Sequence, residues 1–208
     1  VKMTIEQANA LAPYVEVRQA MVFRKGSLVA TVQPQVLDKA SVLVLHMISD
    51  AFPERPIYFA RTSGSYGRQL GLDSYLLQQG LARKLLPALP TADRDTVLLQ
   101  GEGWFDLPRS RALWNDVFKG PKSIIARGHW VDRASVGIPY LYVATAANLY
   151  EAEMLAGNRA VAEQIMQTAE AIARATGLSD IFAQQVPAVP PRGDTAPALP
   201  LGTDTGRR

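Results

Sequence analysis

Arg55-Pro56-Ile57-Tyr58-Phe59-Ala60, followed by Asp73-Ser74-Tyr75-Leu76-Leu77-Gln78-Gln79-Gly80 and Leu81-Ala82-Arg83-Lys84-Leu85-Leu86-Pro87, is the stretch whose reading decides the fold. Ile57 to Ala60 is a short apolar run with β-branched and aromatic residues, closed by Pro56 on one side and a polar, glycine-rich loop on the other. That is the pattern of a buried strand. Asp73 is placed to N-cap a short helix, and Gly80 to end it in a left-handed turn. Leu81 to Leu86 returns to apolar residues, interrupted by Arg83 and Lys84, and stops at Pro87. Strand, loop, short helix and strand predict a right-handed crossover, with Ile57–Ala60 central in the sheet and Leu81–Leu86 parallel to it. The loop from Arg61 to Arg68 leaves the C-terminal end of the first strand, where open α/β sheets place ligands.

Working outward, Thr4-Ile5-Glu6-Gln7 has capping-box spacing and predicts a short helix to about Leu11. Val15, Val17, Met21, Phe23, Leu28, Val29 and Val32 flank Lys25-Gly26-Ser27 and predict a hairpin. Asp38 caps a helix over roughly Lys39 to Ala51. After a loop from Pro87 to Thr96, Val97-Leu98-Leu99 predicts a strand and Gly101-Glu102-Gly103 a turn. Asp106, Pro108 and Gly120 frame a helix with Leu113, Trp114, Val117 and Phe118 on its apolar side. Ser123 to Ala126 adds a helical turn.

From Ser135 the character changes. A long helical pattern over Ile138–Ala156 stops at Gly157, and Asn158 opens a second helix ending before Gly177. Ala162, Ile165, Met166, Ala169, Ile172 and Ala173 recur at three- and four-residue steps on that second helix. Leu149, Gly157, Ala162, Met166 and Ala169 have the spacing of one tetratricopeptide repeat, whereas Tyr150 and Glu153 depart from it. Ser179 to Gln185 adds a last turn. The fold class expected is therefore α+β: a small sheet with a strand-helix-strand crossover over residues 1–134, then a tetratricopeptide-like helical hairpin over 135–185. Residues 186–208, with five prolines, read as a disordered tail.

Composition narrows the function classes. The 208 residues are 48% hydrophobic and 20% charged, ordinary for a globular chain. The net charge of +3 comes from 22 basic and 19 acidic residues without a dense basic patch, which excludes a nucleic-acid partner. The absence of cysteine excludes disulfides, thiolate metal sites and cysteine catalysis. No run reaches the roughly 18–20 apolar residues that span a bilayer, and no signal peptide is visible. The start at Val1 points to a piece of something longer.

Candidate sites follow from residue chemistry. Arg61, Thr62, Ser63, Ser65, Tyr66 and Arg68 offer hydroxyls, two guanidiniums, an aromatic face and backbone donors freed by Gly64 and Gly67, suited to an anion or glycan. Tyr140, Tyr142, Tyr150 and Met154 either line a partner-peptide groove on the hairpin or pack it onto the α/β part. Asp93-Arg94-Asp95 has the form of a divalent-metal motif but sits in a polar loop with no preceding apolar strand, and reads as solvated loop. His46, in an apolar helical stretch, reads as a packed core residue. His129 falls in a connector. No metal site, cofactor or catalytic residue is expected, and no carboxylate sits beside a histidine for acid-base work.

Several phrases together resemble one family: Phe52-Pro53-Glu54-Arg55-Pro56-Ile57-Tyr58-Phe59, Leu70-Gly71-Leu72-Asp73-Ser74-Tyr75-Leu76, Gly80-Leu81 and Ser135-Val136-Gly137-Ile138-Pro139-Tyr140. They resemble the soluble C-terminal region of bacterial multi-spanning membrane proteins similar to protein O-mannosyltransferases, over roughly residues 3 to 183. The resemblance implies a non-catalytic domain on the extracytoplasmic face of the bacterial inner membrane. It would work beside the membrane-embedded part of the same polypeptide, positioning an acceptor, glycan or partner. The alternatives are a tetratricopeptide-like protein-interaction module without a role in sugar transfer and, third, a soluble enzyme acting at the Arg61–Arg68 loop.

Overall fold

The computed structural model describes residues 2–179. The residue 186–208 tail and most of the turn expected from Ser179 lie outside that range. The chain is α+β, with small sheets and a C-terminal helical hairpin.

Local signals set the first elements. Thr4 caps α1 (Ile5–Ala10) through a complete capping box with Gln7. Met21–Lys25 (β2) and Leu28–Val32 (β3) form the hairpin around Gly26, whereas β1 (Tyr14–Val17), expected in that hairpin, pairs antiparallel with β4 (Gln35–Asp38). The Asp38 carboxylate accepts from the Ser41 N–H at 2.8 Å and starts α2 (Lys39–Ala51). His46 is exposed rather than packed. The buried positions of α2 are Ser41, Leu45 and Ile48, and His46 lies one step off that stripe.

The decisive stretch folds differently from the sequence expectation. β5 (Tyr58–Ala60) leads through a short helix, α3 (Tyr66–Gln69), and a 3-10 turn (Asp73–Tyr75) into β6 (Leu76–Gln79), which turns back into β7 (Ala82–Leu85). With β8 (Thr96–Leu99) and β9 (Gly103–Asp106) the sheet order is β5-β7-β6-β9-β8. The segment expected to be parallel to β5 is antiparallel to it, and β5 is an edge strand, not a central one. The crossover exists but lands on β6, and the parallel neighbours are β6 and β9.

Alternation explains the correction. Leu76–Gln79 buries every second residue, a strand period where a helix was expected. Gly80, at φ 58°, belongs to a tight hairpin turn, and a Cβ there would lie 2.9 Å from the Phe118 ring. Arg83 faces inward with Gln78 and Phe59, whereas Lys84 shares the outer face with Tyr58 and Leu77.

Asp106 accepts from the Arg109 N–H at 3.0 Å and caps α4 (Leu107–Ala112), which widens into a π turn over Leu113–Val117. Gly120 does not close that helix. It opens α5 (Gly120–Arg127), where Pro121 sits in the first turn. α6 (Gly137–Leu155) and α7 (Arg159–Thr176) form the hairpin, with Ala146, Leu149, Ala152, Ala162, Ala169 and Ile172 fully buried between or beneath them. The alanines at 146, 152, 162 and 169 let the two helices approach closely. The Asn158 side chain does not cap α7; its amide donates to Glu153 at 2.8 Å.

Two apolar cores share one face of the five-stranded sheet. Phe59, Leu76 and Leu85 join Leu28, Val32, Leu37 and Ile48 in one, while Leu99 and Phe105 join Trp114, Leu149, Ile165 and Ile172 in the other. A polar seam runs between them.

Candidate functional site

Strand register builds the seam. Arg83 on β7 is opposite Gln78 on β6, and Arg61 follows β5 with its N–H bonded to the Leu81 carbonyl. Glu102 sits in the turn between β8 and β9, between Gly101 at φ 81° and Gly103 at φ 91°. Two left-handed neighbours bring the turn backbone round sharply, a conformation glycine adopts freely. From α6, Asn148 faces the sheet.

One oxygen collects these groups. Glu102 Oε2 accepts from Asn148 Nδ2 at 2.9 Å. Arg61 Nη2 lies 3.5 Å and Arg83 Nη2 3.6 Å from the same oxygen. Asn148 also reaches the Gln78 amide oxygen at 3.5 Å, and Gln78 is buried. Only the amide contact has ordinary hydrogen-bond length, so the guanidiniums are held loosely. Two cations thus face one carboxylate. Arg61 Nη1 and Arg83 Nε are buried without a hydrogen-bond partner. Buried donors of this kind are costly to leave unsatisfied.

Burial, chiefly, pulls the Arg61 guanidinium below its ordinary pKa; Glu102 opposes this, Arg83 reinforces it, and Tyr140 on α6 counters. Arginine starts so far above neutrality that the group stays charged. The Arg61 side chain is 16% exposed, against 32% for Arg83 and 36% for Glu102, so the cluster opens to solvent on the Arg83–Glu102 side.

The predicted loop contributes Arg61 alone to this cluster. Arg68 lies 3.5 Å from Asp73 on an open surface, its side chain 83% exposed. Thr62, Ser63, Ser65 and Tyr66 line a separate hollow of about 450 Å³ with Asp38 and Gln69. The neighbouring Ser41 hydroxyl, and then the hydrogen bond from the Ser41 N–H, hold the Asp38 carboxylate below its usual pKa. That hollow therefore carries negative charge and disfavours an anion. Ser63 is turned to the backbone, donating to the Ala60 carbonyl at 2.7 Å.

On the hairpin, Tyr140, Tyr142 and Tyr150 pack against the second core, and Met154 is exposed. The Tyr142 ring approaches Gly120 so closely that a Cβ there would lie 2.5 Å from it, and it meets Phe118 edge-on at 6.0 Å. Asp93 accepts from the Asp95 and Thr96 N–H groups, closing its own turn. Among the described residues no group of histidines and carboxylates is arranged to hold a metal ion.

Sequence reasoning missed Arg83, Glu102, Gln78 and Asn148. Arg83 did leave a signal, a charge within an otherwise apolar strand. The glycines on both sides of Glu102 left another.

Among the described residues no helix is long and apolar enough to cross a membrane. No curated protein and no solved structure matches the chain. Residues 1–102, just under half of the chain and including Arg61, Gln78, Arg83 and Glu102, match the family model described as TMEM260-associated domain 2.

Proposed function

We propose that this chain is a non-catalytic domain of a membrane glycosyltransferase-like protein, on the extracytoplasmic side of the membrane. In this reading it holds an acceptor, glycan or partner through an oxyanion of that ligand at the Arg61–Arg83 pair. The match to a domain associated with a transmembrane protein and the resemblance of the sequence phrases to O-mannosyltransferase-like proteins support the setting. One observation carries the site: two guanidiniums share a single carboxylate oxygen at 3.5 and 3.6 Å, and each keeps a buried N–H without a partner. An entering carboxylate or phosphate ester supplies the second anion and replaces long contacts with bidentate ones, the geometry guanidinium favours. Binding of this kind holds a ligand without transforming it.

Calorimetric titration of the full chain with inorganic phosphate, glucuronate and methyl mannoside tests the site. The two anions should bind and the neutral sugar should not. Absence of anion binding, or binding unaffected by Arg61→Ala with Arg83→Ala, overturns the reading. The interaction-module alternative draws on Met154 and Leu155, the exposed apolar groups near the hairpin turn.

A further inference from the structure

The other exposed edge feature is independent of the oxyanion cluster. Between α2 and β5 runs an apolar groove of about 390 Å³, with Val44, Met47 and Ala51 on the helix wall and Ile57 and Phe59 on the strand wall. β5 is an edge strand, and its ladder to β7 uses alternate residues. The Leu85 N–H donates to the Ile57 carbonyl and the Arg61 N–H to the Leu81 carbonyl, both at 2.9 Å. Antiparallel alternation therefore turns the backbone groups of Tyr58 and Ala60 away from β7. Ser63 takes the Ala60 carbonyl through its N–H and its hydroxyl. The Tyr58 N–H, the Tyr58 carbonyl and the Ala60 N–H remain without a partner among the described residues.

A strand laid against this edge would send alternate side chains into the gap under α2 and the others out beside Tyr58. Met47 and Tyr58, each 50% exposed, stand at the two lips. Arg55, at the entrance to β5, lines the same groove and has no ion-pair partner among the described residues. It gives an otherwise apolar groove one unbalanced positive charge.

We propose that this groove takes the C-terminal end of a partner polypeptide as an added β-strand. The partner pairs with Tyr58 and Ala60, inserts apolar side chains at alternate positions between α2 and β5, and sets its terminal carboxylate on Arg55. Because Arg55 precedes β5, the added strand runs antiparallel to it. Strand addition supplies affinity through backbone hydrogen bonds and specificity through alternate pockets.

The test is selection of the full chain against a library of short peptides displayed with free C-termini. Selected peptides should be apolar at the last residue and two residues before it. Amidating the carboxylate, or Arg55→Gln, should weaken them at least tenfold. Ala60→Pro removes an outward N–H and leaves the β7 ladder intact, and it too should weaken them at least tenfold. Met47→Glu, at an exposed position, should do the same in a chain with unchanged melting, and serves if the proline variant does not fold. Failure to select any sequence overturns the proposal, as do peptides that bind Ala60→Pro and Met47→Glu undiminished. Equal binding of free and amidated peptides overturns the carboxylate assignment.

Discussion

Two of the arginine–glutamate sites in the molecule have opposite character. At the first, on the hairpin side, Arg111 of α4 forks onto Glu153 of α6, with Nη2 to Oε2 at 2.7 Å, and Asn158 donates to the same carboxylate at 2.8 Å. Glu153 is fully buried and its oxygens are satisfied, and the hydrogen bonds that Arg111 donates to it raise the Arg111 pKa. At the second, Arg61 and Arg83 reach Glu102 only at 3.5 and 3.6 Å, and buried donors go unpartnered. The same residue types make a clamp in one place and an incomplete receptor in the other. Distance, stoichiometry and satisfaction separate them, and residue type does not.

The contrast can be broken most severely at the clamp. Arg111→Ala leaves a buried carboxylate with one amide partner, and should lower stability by about 3 kcal/mol, read from the urea midpoint. A loss under a third of that would show that the clamp is no more structural than the cluster. Next in size, Arg61→Ala with Arg83→Ala should reduce phosphate and glucuronate binding at least tenfold, about 1.4 kcal/mol, with a smaller loss of stability than Arg111→Ala. Glu102→Gln sharpens the comparison in the opposite direction. The amide keeps a hydrogen-bonding group for Asn148 but no longer competes for the guanidiniums, so calorimetry should show oxyanion affinity rising several-fold. Smallest of all, Arg68→Ala removes an open-surface pair and should change stability by no more than about 0.5 kcal/mol, leaving anion binding as it was.

What could be read from the sequence was what is local. Thr4, Asp38 and Asp106 cap helices as their spacing implied, because each cap is settled within four residues. The α6–α7 hairpin was legible from its stripe and its glycines. Strand pairing was not. Asp73 and Gly80 are compatible with a helix between them, and only the buried-every-second pattern of Leu76–Gln79 and the closeness of Phe118 to Gly80 favour a hairpin. The Trp104-Phe105 strand was too short to announce itself beside the turn of Gly101–Gly103. The site was legible at Arg61 alone, since Glu102 meets Asn148 across 46 residues and Gln78 meets it across 70. Contacts of that range depend on which strands become neighbours.

The shared sheet has a practical consequence for dissecting the protein. The family match stops at residue 102, inside the turn that joins β8 to β9. A fragment cut at that point loses β9, which among the described residues is the only partner of β8 and is the parallel neighbour of β6. β6, now in the interior, would become an open edge with Leu76 and Leu77 on it, and the inner face at Leu99 would lose its helical cover. Unprotected edges recruit other chains. Such a fragment should self-associate, whereas one retaining β9 and the α6–α7 hairpin should stay monodisperse, so the stretch recognisable by sequence is shorter than the stretch that can fold.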